Sequence, residues 1–121
     1  KQLWLGGLTD AEPQNIAVDG NVYILNADST VVKYFKGKEE SRINLSTKIS
    51  PKSKLIIGKD SPYLFVADYQ NKKIRVFDKT TGSLAMTYKI SLLEKFTDFV
   101  LGDKVLYLSS GDNKIWKLDL Q

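Results

Sequence analysis

Short apolar runs, none longer than about five residues, alternate with clusters of Asp, Asn, Ser, Gly and Lys along the whole chain. Runs of that length, with β-branched and aromatic residues at every second place, predict strands rather than helices. Three stretches share one layout: residues 22–35 (VYILNADSTVVKYF), 63–77 (YLFVADYQNKKIRVF) and 105–118 (VLYLSSGDNKIWKL). Each is an apolar strand, a polar turn and a second, alternating strand. The turns are Asn26-Ala27-Asp28-Ser29, Asp68-Tyr69-Gln70-Asn71 and Ser110-Gly111-Asp112-Asn113. Their residue types suit tight hairpins, because they tolerate positive φ or bond back to their own backbone.

A further strand precedes each hairpin, at Ile16-Ala17-Val18, Leu55-Ile56-Ile57 and Phe99-Val100-Leu101. Turns follow at Asp19-Gly20-Asn21, Gly58-Lys59-Asp60 and Gly102-Asp103. A fourth strand closes the first two units, at Ser41 to Leu45 and Leu84 to Ile90. Segment 91–98 reads equally as a short helical turn or as a loop, and 10–14, with Pro13, reads as the matching upstream connector. Taking Ile16, Ile56 and Val100 as equivalent, the units recur at 40 and 44 residues. Four antiparallel strands at a period of about 40–50 residues is the spacing of a β-propeller blade. The fold class expected is therefore all-β, with about three four-stranded blades: 14–47, 54–90 and 98–121, the last without its outer strand.

The middle unit, YLFVADYQNKKIRVFDKTTGSL (63–84), resembles an NHL-repeat blade through its VAD, then Asn, a basic residue, Ile, and VF. The third unit, LYLSSGDNKIWKLDL, is similar to blades of the quinoprotein and WD-repeat kinds. The resemblance implies propeller architecture. It covers strand and turn positions, so it brings no catalytic residue with it.

About four blades are the minimum for closure. Three leave two apolar sheet faces bare, and bare faces of that size mark interaction surfaces. Residues 1–7, with strand character at Leu3, Trp4 and Leu5, occupy the outer-strand position of a preceding blade. The expectation is a homodimer, half of a six-bladed ring in each chain, in which 1–7 complete the partner's third blade beside Ile115, Trp116 and Leu118. Twofold closure is the commonest homo-oligomer. The alternative is a fragment of a longer single-chain propeller.

Composition narrows the chemistry. Among 121 residues there is no Cys and no His. That removes disulfides, Cys/His zinc sites and any Ser-His-Asp or Cys-His nucleophile system. No apolar run approaches the roughly 20 residues of a membrane span. Net charge is +4, yet only Arg42 and Arg75 are Arg. Nucleic-acid sites lean on Arg for its planar fork, so the scarcity argues against a nucleic-acid partner. Asp19, Asp60 and Asp103 recur after the inner strands, and Asp28, Asp68 and Asp112 recur in the hairpins, which is what repeated bends require. No loop has calcium-ligand spacing, and Gly6-Gly7 lacks the context of a phosphate loop. Of the strand aromatics Tyr23, Tyr34, Phe65, Phe77, Tyr107 and Trp116, most are expected to pack between blades, the alternative being that some form a ligand platform at the channel rim.

These readings name no catalytic, cofactor or metal residue. They favour a non-catalytic interaction module with itself and a protein or peptide as partners. An enzyme or small-ligand receptor using the axial channel, or an RNA-binding propeller, stands as the alternative.

Overall fold

A computed structural model describes residues 13–120. Three antiparallel sheets follow one another along the chain. The first is β1 (Pro13–Val18), β2 (Val22–Asn26), β3 (Thr30–Phe35) and β4 (Lys38–Asn44). The second is β5 (Ser53–Ile57), β6 (Tyr63–Asp68), β7 (Lys73–Asp78) and β8 (Leu84–Lys89). The third is β9 (Phe96–Leu101), β10 (Val105–Ser110) and β11 (Ile115–Asp119). Each is a meander in which neighbours in sequence are neighbours in space, so only short loops need closing. They are called blades 1, 2 and 3 below.

The sheets stack face to face through two apolar cores. Tyr23, Leu25, Val31 and Ile43 of blade 1 meet Leu55, Leu64, Val66 and Phe77 of blade 2. From the opposite face of blade 2, Ile56, Phe65, Ala67, Ile74 and Val76 meet Phe96, Leu106 and Leu108 of blade 3, with Leu93 beside them. Blade 2 is thus buried on both faces, which is why 63–67 is continuously apolar instead of alternating. The innermost strands β1, β5 and β9 lie side by side around one axis. The side-chain carbonyl of Asn15 on β1 accepts the Leu55 N–H of β5 at 2.8 Å, satisfying a donor on an otherwise open strand edge.

Several boundaries differ from the sequence reading. Pro13 opens β1 instead of lying in a connector, a place where its missing N–H removes no ladder bond. Within 91–98 only Leu93–Lys95 form a 3₁₀ turn, and β9 already starts at Phe96. The assumed equivalence of Ile16 with Ile56 and Val100 is displaced by one residue. Ala17, opposite Tyr23, faces blade 2, as Ile56, opposite Phe65, faces blade 3. Ile16 points the other way and is 61% exposed. In a strand of period two, a one-residue slip exchanges faces.

The hairpin chemistry also divides differently. Positive φ falls on Ser29 (67°), Lys72 (55°) and Asn113 (66°), and not on Asp28, Asp68 or Asp112. The aspartates serve as acceptors instead. Asp28 takes the Thr30 N–H at 3.2 Å and its hydroxyl at 2.6 Å, and Asp112 takes the Ser110 hydroxyl. Gly82, at φ +80°, is required for a second reason: a Cβ there would lie 2.3 Å from the Asn44 carbonyl oxygen of blade 1.

Candidate functional site

Tracing the carboxylates shows what the fold uses them for. Asp68 ends β6 and is fully buried. Its oxygens accept from the Ser50 hydroxyl, the Asn71 N–H (3.1 Å), the Asn71 side-chain amide (2.9 Å) and the Arg75 guanidinium (2.6 Å). Burial pushes this carboxyl up, but the hydrogen bonds from Ser50, Asn71 and Arg75 outweigh it and hold the group below its usual range. The Asp-x2-Asn-x3-Arg spacing of 68–75 therefore locks a hairpin. Asp78 is likewise held low, by the Thr81 and Thr80 N–H groups that cap its turn at 2.8 Å each. Lys33 is raised by its hydrogen bond to Glu40, 3.0 Å away, and burial together with Asp98 raises the Tyr69 hydroxyl.

One carboxylate does more than bend the chain. Lys79, after β7 of blade 2, reaches across the blade junction to Asp19 Oδ2 at 2.8 Å. Its ammonium also meets the carbonyls of Gly58 (3.0 Å) and Ser61 (3.3 Å) and lies 5.5 Å from the centroid of the Tyr23 ring. Both side chains are largely buried. The sequence reading assigned Asp19 to a turn and singled out neither Lys79 nor its link to Asp19. The available signal was the Asp-x3-Tyr spacing of Asp19 and Tyr23, repeated at Asp103 and Tyr107.

A hollow of about 590 Å³ lies over Asp19, Tyr23, Phe35 and Lys79, and two other concave regions stand out among the described residues. An axial groove of about 610 Å³ runs between β1, β5 and β9, lined by Ala17, Val18, Lys54, Ile57, Val100 and their neighbours. A cleft of about 750 Å³ opens between blades 2 and 3 over Phe65, Val76, Met86, Tyr88, Leu101 and Leu120, with Lys59, Asp60, Asp103 and Lys104 at the rim. Among the described residues no group of three or more acidic side chains is placed to hold a metal ion, and no helix is long and apolar enough to cross a membrane.

The two end faces of the stack are the larger feature. On blade 1, the face turned from blade 2 is exposed along the innermost strand, at Ile16 and Val18 (61% and 65%), whereas Val32 and Tyr34 on the same face are buried. On blade 3, the face turned from blade 2 carries Val100, Tyr107 and Ile115, with Ile115 75% exposed. The residues expected at a subunit contact separate here. Ile115 lies on that open face, opposite Ser109. Trp116 and Leu118 lie on the other, where Leu118 packs into the core shared with blade 2 and the Trp116 ring meets Phe96 edge-on at 6.0 Å. Leu3, Trp4 and Leu5, like the whole 1–7 segment, lie outside the described residues.

No family model and no curated protein matches the chain. Solved structures do. Hsv2 of Kluyveromyces lactis superimposes with a TM-score of 0.68 at 10% identity, covering 91% of this chain and 33% of that one. Hydrazine synthase of Kuenenia stuttgartiensis gives 0.63 at 16% identity, over 98% of this chain and 36% of the other. A streptogramin B lyase gives 0.54 at 17% identity, over 94% and 42%. The chain thus spans about a third of the length of the first two. These are β-propeller proteins of different activities, and likeness at this identity carries the architecture alone. The chain is an all-β stack of three consecutive β-propeller blades.

Proposed function

We propose that this chain is a non-catalytic β-propeller interaction module whose ring is closed by a second copy of itself, two sets of three blades making six. The observation that carries the reading is the exposed apolar face of blade 3, together with the exposed innermost strand of blade 1. Ile16 and Val18 lie on the kind of face that blade 2 buries against blade 1, and Val100, Tyr107 and Ile115 on the kind that blade 2 buries against blade 3. Each set therefore belongs to a half-interface of a type the molecule already builds twice. A twofold axis along the channel joins head to tail and tail to head at once. Blade faces left in water would be adhesive in a monomer. The non-catalytic reading draws on the carboxylates: Asp28, Asp68, Asp78 and Asp112 are engaged in turn hydrogen bonds. Loop rims and the axial groove then serve a protein or peptide ligand.

One observation favours a second reading, in which the completing blades lie on the same polypeptide: matched propeller chains are about three times as long. Light scattering on the purified chain separates the two. Twice the chain mass of 13.7 kDa is expected. A stable, folded monomer at micromolar concentration refutes closure by a second copy.

A further inference from the structure

Because a meander reverses at every strand, its turns sort to two ends of the stack. The β2–β3, β6–β7 and β10–β11 turns share one end with the connectors 45–52 and 90–95. Hydrogen bonds tie that end together. The Ile49 N–H donates to the Ser29 hydroxyl at 3.0 Å, the Tyr69 N–H to the Lys52 carbonyl at 3.1 Å and the Ile90 N–H to the Lys72 carbonyl at 2.9 Å.

Five lysines gather where blade 2 borders the first of these connectors. Lys73 and Lys89 stand directly opposite each other on β7 and β8. Lys72 precedes Lys73 in the turn, and Lys48 and Lys52 flank Ser50, whose hydroxyl is bonded to Asp68. All are exposed except Lys73, which is partly buried. Among the described residues none of the five is joined to a carboxylate, whereas Lys33, Lys79 and Lys117 each find one. Asp68, opposite Lys73, is fully buried and already held by Arg75 at 2.6 Å. The other carboxylates at this end, Asp28, Glu94, Asp98 and Asp112, lie on blade 1, the following connector and blade 3.

Like charges directly opposite on neighbouring strands have Cβ atoms about 5 Å apart and destabilise the sheet. That spacing is inside the screening length of about 8 Å at physiological salt, so the ammonium groups act on one another and on any anion together. The fold itself draws nothing from the Lys73–Lys89 pair. Lysine is a point charge with rotatable donors, suited to single carboxylates on a flexible chain and lacking the planar fork used for phosphate and bases. No exposed aromatic side chain lies in 46–52, 69–73 or 87–90 to stack a base. Leu92, in the neighbouring connector, is one exposed apolar side chain, too little to anchor in a lipid surface.

We propose that this corner of blade 2 docks an acidic peptide segment, its Asp or Glu side chains seated among Lys48, Lys52, Lys72, Lys73 and Lys89. The inference rests on the protein- or peptide-ligand reading, whose partner class it names, and is independent of how the ring is closed.

The test is fluorescence anisotropy of a labelled poly-glutamate peptide titrated with the whole purified chain. Binding is expected to weaken by about tenfold or more as ionic strength rises from about 10 mM to about 150 mM. Lys73→Gln/Lys89→Gln is expected to lower affinity by about fivefold or more, with stability in urea equal or higher because the like-charge pair is gone. Lys38→Gln/Lys104→Gln removes the same charge from the other end and is expected to leave binding within about twofold. No peptide binding at the low ionic strength overturns the site and leaves the ligand reading to the axial groove and the other rims. Equal losses from both double variants overturn it in favour of general attraction by net charge. A fall in stability for Lys73→Gln/Lys89→Gln overturns the argument that these lysines are surplus to the fold. Tighter binding of a single-stranded oligonucleotide of matched charge, or of phosphatidylcholine vesicles containing phosphatidylserine, overturns the peptide class and the protein-ligand reading with it.

Discussion

Replacing Asp68 with Ala tests what holds the middle blade together. The carboxylate is fully buried and accepts four hydrogen bonds, including one from Arg75, whose side chain is only 11% exposed. Truncation leaves the guanidinium, the Ser50 hydroxyl and the Asn71 amide without their shared acceptor. Breaking a buried pair by removing one partner costs about 3–5 kcal/mol, because the remaining charge stays desolvated. For a chain of this size 1 kcal/mol moves the melting temperature by about 4 °C, so a fall of about 12–20 °C is expected. Asp68→Asn keeps the shape without the charge, and about half that loss is expected. The sign of the pH dependence follows from the lowered carboxyl. A group whose folded value lies below its ordinary 3.8 contributes stability that is complete above that value and disappears as pH falls through the folded one. The gap between wild type and Asp68→Asn is therefore expected to be full at neutral pH and to narrow progressively as pH falls below about 4. Urea unfolding followed by far-ultraviolet circular dichroism, from pH 7 to 3, measures both quantities. A loss under about 1 kcal/mol for Asp68→Ala at pH 7, or a gap that does not change with pH, would refute the argument that this network is structural.

Other substitutions bear on separate features. Gly82→Ala is expected to cost about 2 kcal/mol or more in urea unfolding, since φ is +80° and the new Cβ meets the Asn44 carbonyl oxygen at 2.3 Å. Lys79→Met strands the buried Asp19 at the junction of blades 1 and 2, and a loss of about 2–4 kcal/mol is expected, with Asp19→Asn/Lys79→Met losing less than the sum of its parts. Asp112→Ala removes one exposed acceptor and is expected to change stability by less than about 1 kcal/mol; loss of ligand binding with unchanged melting would assign that residue to a site instead. If closure by a second copy holds, the melting temperature rises with protein concentration, and a flat dependence over a hundredfold range counts against it.

The repeat, the three hairpins and the outward strands were legible in the residues alone, because strand alternation and turn composition act over a few neighbours. Blade 2 announced its double burial as an unbroken apolar run at 63–67 for the same reason. Facing was harder. A register irregularity between Pro13 and Asn15 accompanies the one-residue offset that makes Ala17, and not Ile16, the residue turned to blade 2. Ile115, Trp116 and Leu118 share the edge strand β11, but alternation puts Ile115 on the exposed face and turns Trp116 and Leu118 toward Phe96 and the blade 2 core. Asp68 was legible as a turn residue, but its union with Ser50, 18 positions away, depends on the chain entering blade 2 beside that hairpin. Asp19 and Lys79 are separated by 60 residues. Nothing local joins a turn aspartate to a lysine at that distance; only stacked sheets bring the two together, in surroundings dry enough for the pair to form an enclosed contact.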